Sequence, residues 1–124
     1  MENSTAKYLV TALKAVLTLA FVGAGLAKIA GVDMMVATFD ALGLGQWFRY
    51  VTASIEIGAA VLLWWPGRQM IGAALLLATM IGAVLAHAFL IGPTAVPAIV
   101  LGIASAIVAY VYRNQAAGLR ARTA

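Results

Sequence analysis

The chain has 124 residues, of which 65% are hydrophobic and 10% charged, and its mean hydropathy is +1.02. Water-soluble domains carry about 25% charged and about 45–50% apolar residues, so this composition excludes an ordinary soluble domain. It also excludes a disordered chain, which needs low hydrophobicity and high charge. We therefore expect residues 1–124 to form a single domain whose solvent is the lipid bilayer.

The net charge of +4 does not indicate nucleic-acid binding. The basic residues stand at the ends of hydrophobic segments, where membrane topology explains them. The sequence has no cysteine, no glycine-rich phosphate loop, no nucleophile elbow and no zinc-ligand spacing. We therefore expect no nucleic-acid partner, no metal site and no covalently bound cofactor.

Four apolar segments are long enough to cross a bilayer, at about residues 9–30, 47–65, 70–91 and 94–112. A helix needs about 20 residues, at about 1.5 Å each, to cross a hydrocarbon layer of about 30 Å. Turn signals separate the later segments, with Pro66-Gly67 after the second and Gly92-Pro93-Thr94 after the third. The sequence therefore predicts an all-α integral membrane bundle of four transmembrane helices.

The first loop, residues 31–46, is long enough to hold a helix of its own. Asp33 is a suitable N-terminal cap for a helix over residues 34–42, which ends at Gly43. Its apolar side chains share one face, formed by Met35, Phe39 and Leu42. We expect a short interfacial helix here.

Lysine and arginine are unevenly distributed between the two ends of the predicted bundle. With both termini in the cytoplasm, six of the eight lie inside, and only Lys28 and Arg49 lie toward the outside. The positive-inside rule therefore predicts a bacterial-type inner-membrane protein with both termini cytoplasmic. In this orientation Lys14 extends toward the inner headgroups.

Small residues recur four positions apart in every segment. Such pairs allow membrane helices to approach closely, so we expect them to be packing seams inside the bundle. The pairs are Ala20 and Ala24, Ser54 and Gly58, Gly82 and Ala86, and Gly102 and Ala106.

Glu56 is the most informative polar residue, because it lies nine residues from both Trp47 and Trp65, about 13.5 Å from each. A carboxylate at that depth must face the bundle and either pair with a cation or stay protonated. Helical side chains lean toward their own N-terminus, so Lys28 and His87 point toward Glu56 from neighbouring helices. Such a cluster is either a structural ion pair or a ligand and proton site.

Arg49 lies seven residues before Glu56 on the same helical face, about 10.5 Å higher. Two roles are open to it. It can anchor the helix in the outer headgroup layer, which we expect, or it can be a direct partner of Glu56.

Three short motifs resemble the DoxX family of membrane proteins. Gly25-Leu26-Ala27-Lys28-Ile29-Ala30-Gly31 resembles its G-x-x-K-hydrophobic-x-G signature. Phe39-Asp40-Ala41-Leu42-Gly43 resembles its first loop, and Ile55-Glu56-Ile57-Gly58 its glutamate-containing second helix. The resemblance covers nearly the whole chain and implies a compact four-helix bundle. The shared positions are Lys28, Phe39, Gly43 and Glu56.

The resemblance also implies a loose association with redox chemistry. Family members include a small quinone-reducing subunit of archaeal thiosulfate oxidation and partners of oxidative-stress enzymes. Animal relatives resemble cargo receptors or assembly chaperones. Fold alone does not settle function across this range.

Two functional hypotheses follow, and whether the chain is an enzyme stays open. In the first, it is a membrane subunit of a redox system and binds a quinone or similar lipophile at Lys28, Glu56 and His87. In the second, it is a non-enzymatic scaffold or assembly chaperone for another membrane protein or a second copy of itself. A proton-coupled carrier is less consistent with four spans that lack a repeat.

Overall fold

The computed structural model describes residues 4–91 and 95–115, and within these ranges the chain is all-helical. The π-helical turn His87–Ile91 directly continues the fourth helix. The five α-helices are α1 (Ser4–Ala30), α2 (Asp33–Leu42), α3 (Trp47–Leu62), α4 (Gln69–Ala86) and α5 (Val96–Val111).

Four of these helices close into a ring. α1 packs against α3 and α5, and α4 packs against the same two helices. Neighbouring helices run antiparallel, because Lys28 near the end of α1 meets Glu56 and Arg49 of α3, and Lys14 meets Tyr112 just after α5. The ring therefore has two ends, which we call the α2 end and the turn end; the turn end holds Pro66 and Gly67.

Each helix of the ring turns one row of side chains inward. In α1 the buried row recurs every three or four residues and consists of Lys14, Leu17, Phe21, Gly25 and Lys28. The apolar core is built from such rows, with Leu17, Leu63, Leu76 and Val108 fully buried. Two charged residues thus lie on the core-facing row of α1, Lys14 in its third turn and Lys28 in its last turn.

The outer surface of the ring is apolar. Leu19 is 77% exposed, Phe89 78% and Ile103 58%, and large aliphatic side chains cover the remaining outer faces. Continuous apolar surface of this kind is rare on water-soluble monomers. Among the described helices, two have the length and composition to cross a membrane, Ser4–Ala30 and Gln69–Phe89, while apolar α5 is shorter. The surface and the apolar helices together are those of a membrane protein.

The predicted segment boundaries hold to within a few residues. α1 begins at Ser4, earlier than the predicted residue 9, and α3 ends at Leu62, short of the predicted residue 65. The chain turns after α3 as predicted, with Gly67 at a φ of +82°. Pro97 lies in the first turn of α5, where a missing N–H is tolerated. The predicted turn at 92–94 lies outside the described residues.

The helix predicted in the first loop is present as α2, but its predicted cap is wrong. Val32 occupies the cap position without a side-chain hydrogen bond, and Asp33 is the first helical residue. Its carboxylate there still interacts favourably with the helix dipole. The predicted face is correct at Phe39, which is buried with its ring 6.2 Å from that of Phe48. Gly43 ends the helix in the left-handed conformation, as predicted.

The small-residue pairs are only partly packing seams. Gly102 is buried against Met80 of α4, but Gly58 and Gly82 face outward, where an added Cβ would meet nothing within 4 Å. The prediction was therefore wrong for these two residues. The closest approach of a described glycine to the backbone of a neighbouring helix lies instead at Gly72, where an added Cβ would stand 2.6 Å from the backbone oxygen of Ala59. At this position α3 and α4 are in backbone contact.

Gly72→Ala tests this contact. The added methyl group meets backbone that cannot rotate aside, so we expect the free energy of unfolding to fall by about 1–3 kcal/mol. Gly82→Ala is the matched control, and its helix propensity should leave stability unchanged or raise it by up to about 1 kcal/mol. Thermal unfolding of both variants in one detergent measures the difference. Equal melting temperatures would contradict the close approach of α3 and α4.

Candidate functional site

A buried ion pair joins α1 to α3. Lys28 lies in the last turn of α1 and Glu56 in the second half of α3, with Lys28 Nζ 2.8 Å from Glu56 Oε1. Lys28 is 9% exposed and Glu56 is 2% exposed. The structure thus brings together two charges whose side chains the sequence analysis expected to point toward each other from different helices.

The pair is close, yet Glu56 is incompletely satisfied. Its buried Oε1 atom lies 2.8 Å from the Lys28 ammonium, and no second donor to it is found among the described residues. A buried ion pair with a purely structural role needs good geometry and hydrogen bonds on its remaining lone pairs. Within the described residues Glu56 Oε1 has this one polar contact and so retains a lone pair for a second donor.

Arg49 clamps the end of α1 onto the start of α3. Its Nη1 donates to the backbone carbonyl of Lys28, while its Nε donates to Gln46 Oε1 at 3.0 Å and its Nη2 to the Tyr50 hydroxyl at 3.2 Å. A cation beside the last carbonyls of a helix also complements the helix dipole. Arg49 therefore holds the backbone that carries the Lys28 side chain.

This clamp departs from the sequence expectation for Arg49. We expected an anchor in the outer headgroup layer, but the residue is 7% exposed and its guanidinium is bonded to the protein. Gly31, at a φ of +69°, makes room for it, because an added Cβ would lie 3.0 Å from Arg49 Nη1. The sequence signal for this contact was Gly31, a glycine that follows Lys28 at the end of α1.

Gln46 connects the clamp to α2, and the sequence analysis missed it. Its Nε2 donates to the Val36 carbonyl at 3.0 Å and to Asp40 Oδ1 at 2.8 Å, while its Oε1 accepts from Arg49. A polar chain thus runs from Asp40 through Gln46 and Arg49 to the Lys28 backbone. These hydrogen bonds therefore connect α2 to the backbone that carries the ion-paired Lys28 side chain.

His87 lies at the same end of the bundle. It is half-buried and is the first residue of the π-helical turn, which packs against α2. Short π-helical turns often accompany functional sites because they re-aim side chains. The structure therefore places Lys28, Glu56 and Arg49 in contact on α1 and α3, and His87 on α4's continuation.

Lys14 lies at the turn end, but its side chain is packed inside the protein and does not extend toward the inner headgroups as expected. It is 7% exposed, and its Nζ lies 3.0 Å from the Tyr112 hydroxyl and 4.7 Å from the centre of the Trp64 ring. Helix periodicity explains the difference, since Lys14 falls on the same inward row as Leu17 and Phe21. Lys14 is therefore a third buried cation, and it lies at the turn end, opposite Lys28 and Arg49.

The chain matches a known protein family. A family model described as the DoxX-like family matches residues 12–111, from the third turn of α1 to the end of α5. The matched range contains the ion pair, the clamp and the π-helical turn. No curated protein and no solved structure gives a significant match to the chain.

A double-mutant cycle tests the coupling of Lys28 and Glu56. Lys28→Met or Glu56→Leu alone leaves a buried charge without its partner, so each should lower the free energy of unfolding by about 3–5 kcal/mol. The double variant should lose less than either single one, because no buried charge remains. Thermal unfolding in detergent measures all four proteins. Additive losses would show that the two side chains do not interact.

Proposed function

The chain belongs to the DoxX-like family, and on that premise we propose that it spans a bacterial-type inner membrane four times with both termini in the cytoplasm. The closed antiparallel ring supports four spans. α3 is short and charged, but it packs between α1 and α4, the two described helices that are long and apolar enough to cross a membrane. The distribution of cations supports the orientation, since Lys7, Arg68 and Arg113 all lie at the turn end.

The absence of native cysteine allows a direct test of this topology in the full chain. Leu44→Cys places one thiol beyond α2, and Asn114→Cys places one after α5; both positions are exposed. In intact cells a membrane-impermeant maleimide should label Leu44→Cys at once and Asn114→Cys only after permeabilisation. The cysteine-free parent controls for background. Labelling of Asn114→Cys but not of Leu44→Cys in intact cells would contradict the proposed orientation. Equal labelling of the two would place both sites on the same side of the membrane and so contradict an odd number of crossings between them.

We further propose that the chain is a membrane subunit or partner of a redox system and binds a quinone-like lipophile beside the Lys28–Glu56 pair. The observation that carries this proposal is the buried Lys28–Glu56 ion pair, whose Oε1 atom has no donor besides the Lys28 ammonium among the described residues. A quinone, when bound, supplies two-electron, two-proton chemistry. The side chains present fit its head group, because an ammonium donates to a carbonyl oxygen and a carboxyl group can gain or lose a proton.

Each residue of the site has a distinct proposed role. Lys28 donates a hydrogen bond to the ligand, and Glu56 holds or releases the proton at its carboxyl oxygens. Arg49 is a positioning residue, because it grips the Lys28 carbonyl rather than the pair itself. His87 is a second proton-handling group at the same end of the bundle. The polar chain through Gln46 keeps α2 over the site and excludes water.

Glu56→Gln separates proton handling from architecture. The amide keeps the shape and still accepts a hydrogen bond from Lys28 but cannot ionise, so the variant should fold and insert. We expect a short-chain ubiquinone analogue to raise the melting temperature of the purified parent protein by about 4 °C at about ten times its Kd. Glu56→Gln should lose most of that rise and its pH dependence, and His87→Asn should lose less.

Asp33→Asn is the matched control, because it removes one exposed carboxylate at the same end of the bundle. It should keep the full rise in melting temperature. A parent protein that does not respond to the quinone analogue would contradict ligand binding. A fully responsive Glu56→Gln variant would remove Glu56 from the site.

The second candidate is a non-enzymatic scaffold or assembly chaperone, and the outward-facing small residues favour it. Gly58 and Gly82 leave open space on the outer faces of α3 and α4, where another membrane helix can approach closely. On this alternative, Glu56→Gln keeps its co-purifying partner, whereas Gly58→Leu loses it. Glu56→Gln is therefore the damaging variant under the redox hypothesis, and Gly58→Leu is the damaging variant under the scaffold hypothesis.

A further inference from the structure

The turn end holds a buried cation in a cage of neutral groups. Lys14 Nζ donates to the Tyr112 hydroxyl at 3.0 Å and lies 4.7 Å from the Trp64 ring centre and 5.3 Å from that of Tyr112. Thr18 fixes the cage, because its hydroxyl accepts from Trp64 Nε1 at 2.7 Å and donates to the Lys14 carbonyl. The cage thus joins α1 to the chain just after α3 and just after α5.

This cage stabilises the ammonium without neutralising its charge. Aromatic rings and a hydroxyl attract a cation, but none of them carries a compensating negative charge. A lysine ammonium has three donors, and one of them is used on an oxygen atom. Lys14 is only 7% exposed, and a buried charge that lacks a counter-charge is costly in an apolar environment.

No carboxylate lies at the turn end in the part of the chain that the structure describes. Asp33 and Asp40 belong to α2 at the opposite end, and Glu56 is paired with Lys28. The fourth acidic residue, Glu2, lies outside the described residues. The charged neighbours at this end are cations, namely Lys7, Arg68 and Arg113.

We propose that the Lys14 cage is a binding site for the phosphate group of an anionic phospholipid. The lipid supplies the negative charge that the described protein lacks at this end. Trp and Tyr side chains concentrate at the level of lipid headgroups, so Trp64 and Tyr112 set the cage at the depth where lipid phosphates lie. Basic pockets between membrane helices at the cytoplasmic face are suited to anionic headgroups. This site is independent of the proposed ligand at Glu56.

The test uses the full chain in neutral detergent with added phosphatidylglycerol or, separately, phosphatidylcholine. Phosphatidylglycerol should raise the melting temperature of the parent protein by about 4 °C at about ten times its Kd, and phosphatidylcholine should not. Lys14→Gln should lose at least about two-thirds of that rise. Lys7→Gln is the matched control, because it removes an exposed cation from the same end of α1 and should keep the rise.

Tyr112→Phe keeps the test decisive if Lys14→Gln does not fold. It removes only the hydroxyl that orients Lys14, so it should fold and bind phosphatidylglycerol more weakly than the parent, as measured by native mass spectrometry. Equal responses to the two lipids, or a full response in both Lys14→Gln and Tyr112→Phe, would overturn the proposal.

Two further arms separate other anions from the lipid. Inorganic phosphate, added at matched concentration to protein with phosphatidylcholine, should not change the melting temperature. A rise equal to that with phosphatidylglycerol would show that the site binds a free anion and not a lipid. Glu2→Gln should leave the melting temperature in neutral detergent unchanged. A loss of stability in Glu2→Gln, together with no response of the parent to phosphatidylglycerol, would assign the counter-charge to the protein itself.

Discussion

A carboxylate buried among apolar helices needs a cation beside it, and here Lys28 of α1 supplies that cation to Glu56 of α3. The rest of the α2 end is arranged around this need. Arg49 fixes the backbone that carries Lys28, and Gln46 ties Arg49 to α2. One electrostatic requirement therefore determines how α1 and α3 pack, and where the loop between them must lie.

The sequence predicts the elements of this fold well, because the physical signals are local. Hydrophobic length identifies the helices; Gly43 ends α2 and Gly67 lies in the turn between α3 and α4, both at a positive φ that glycine tolerates. The depth of Glu56 between two tryptophans likewise indicates burial and the need for a partner. These conclusions use only the spacing of residues along one segment, which the folded chain preserves.

The sequence predicts the role of each cation less well, because that role depends on a distant helix. Lys14 and Arg49 both have long side chains near segment ends, which is typical of residues that extend toward headgroups. Each is instead retained by groups far away in the chain, Tyr112 for Lys14 and the Lys28 carbonyl for Arg49. The small-residue pairs fail for a related reason: in a membrane helix both faces are apolar, so spacing alone does not tell the inner face from the outer.

The Arg49 clamp has a consequence for how the chain enters the bilayer during synthesis. α3 carries two charged residues: Arg49 in its first turn and Glu56 nearer its centre, where a charge costs about 2.5–3.5 kcal/mol on insertion. α1 emerges earlier and brings both compensating groups, the ammonium and the main-chain carbonyl of Lys28. On the proposed four-span topology, insertion of α3 is therefore more favourable against an α1 that is already present, with α2 at the bend. The order of helices along the chain is thus also the order in which their charges can be compensated.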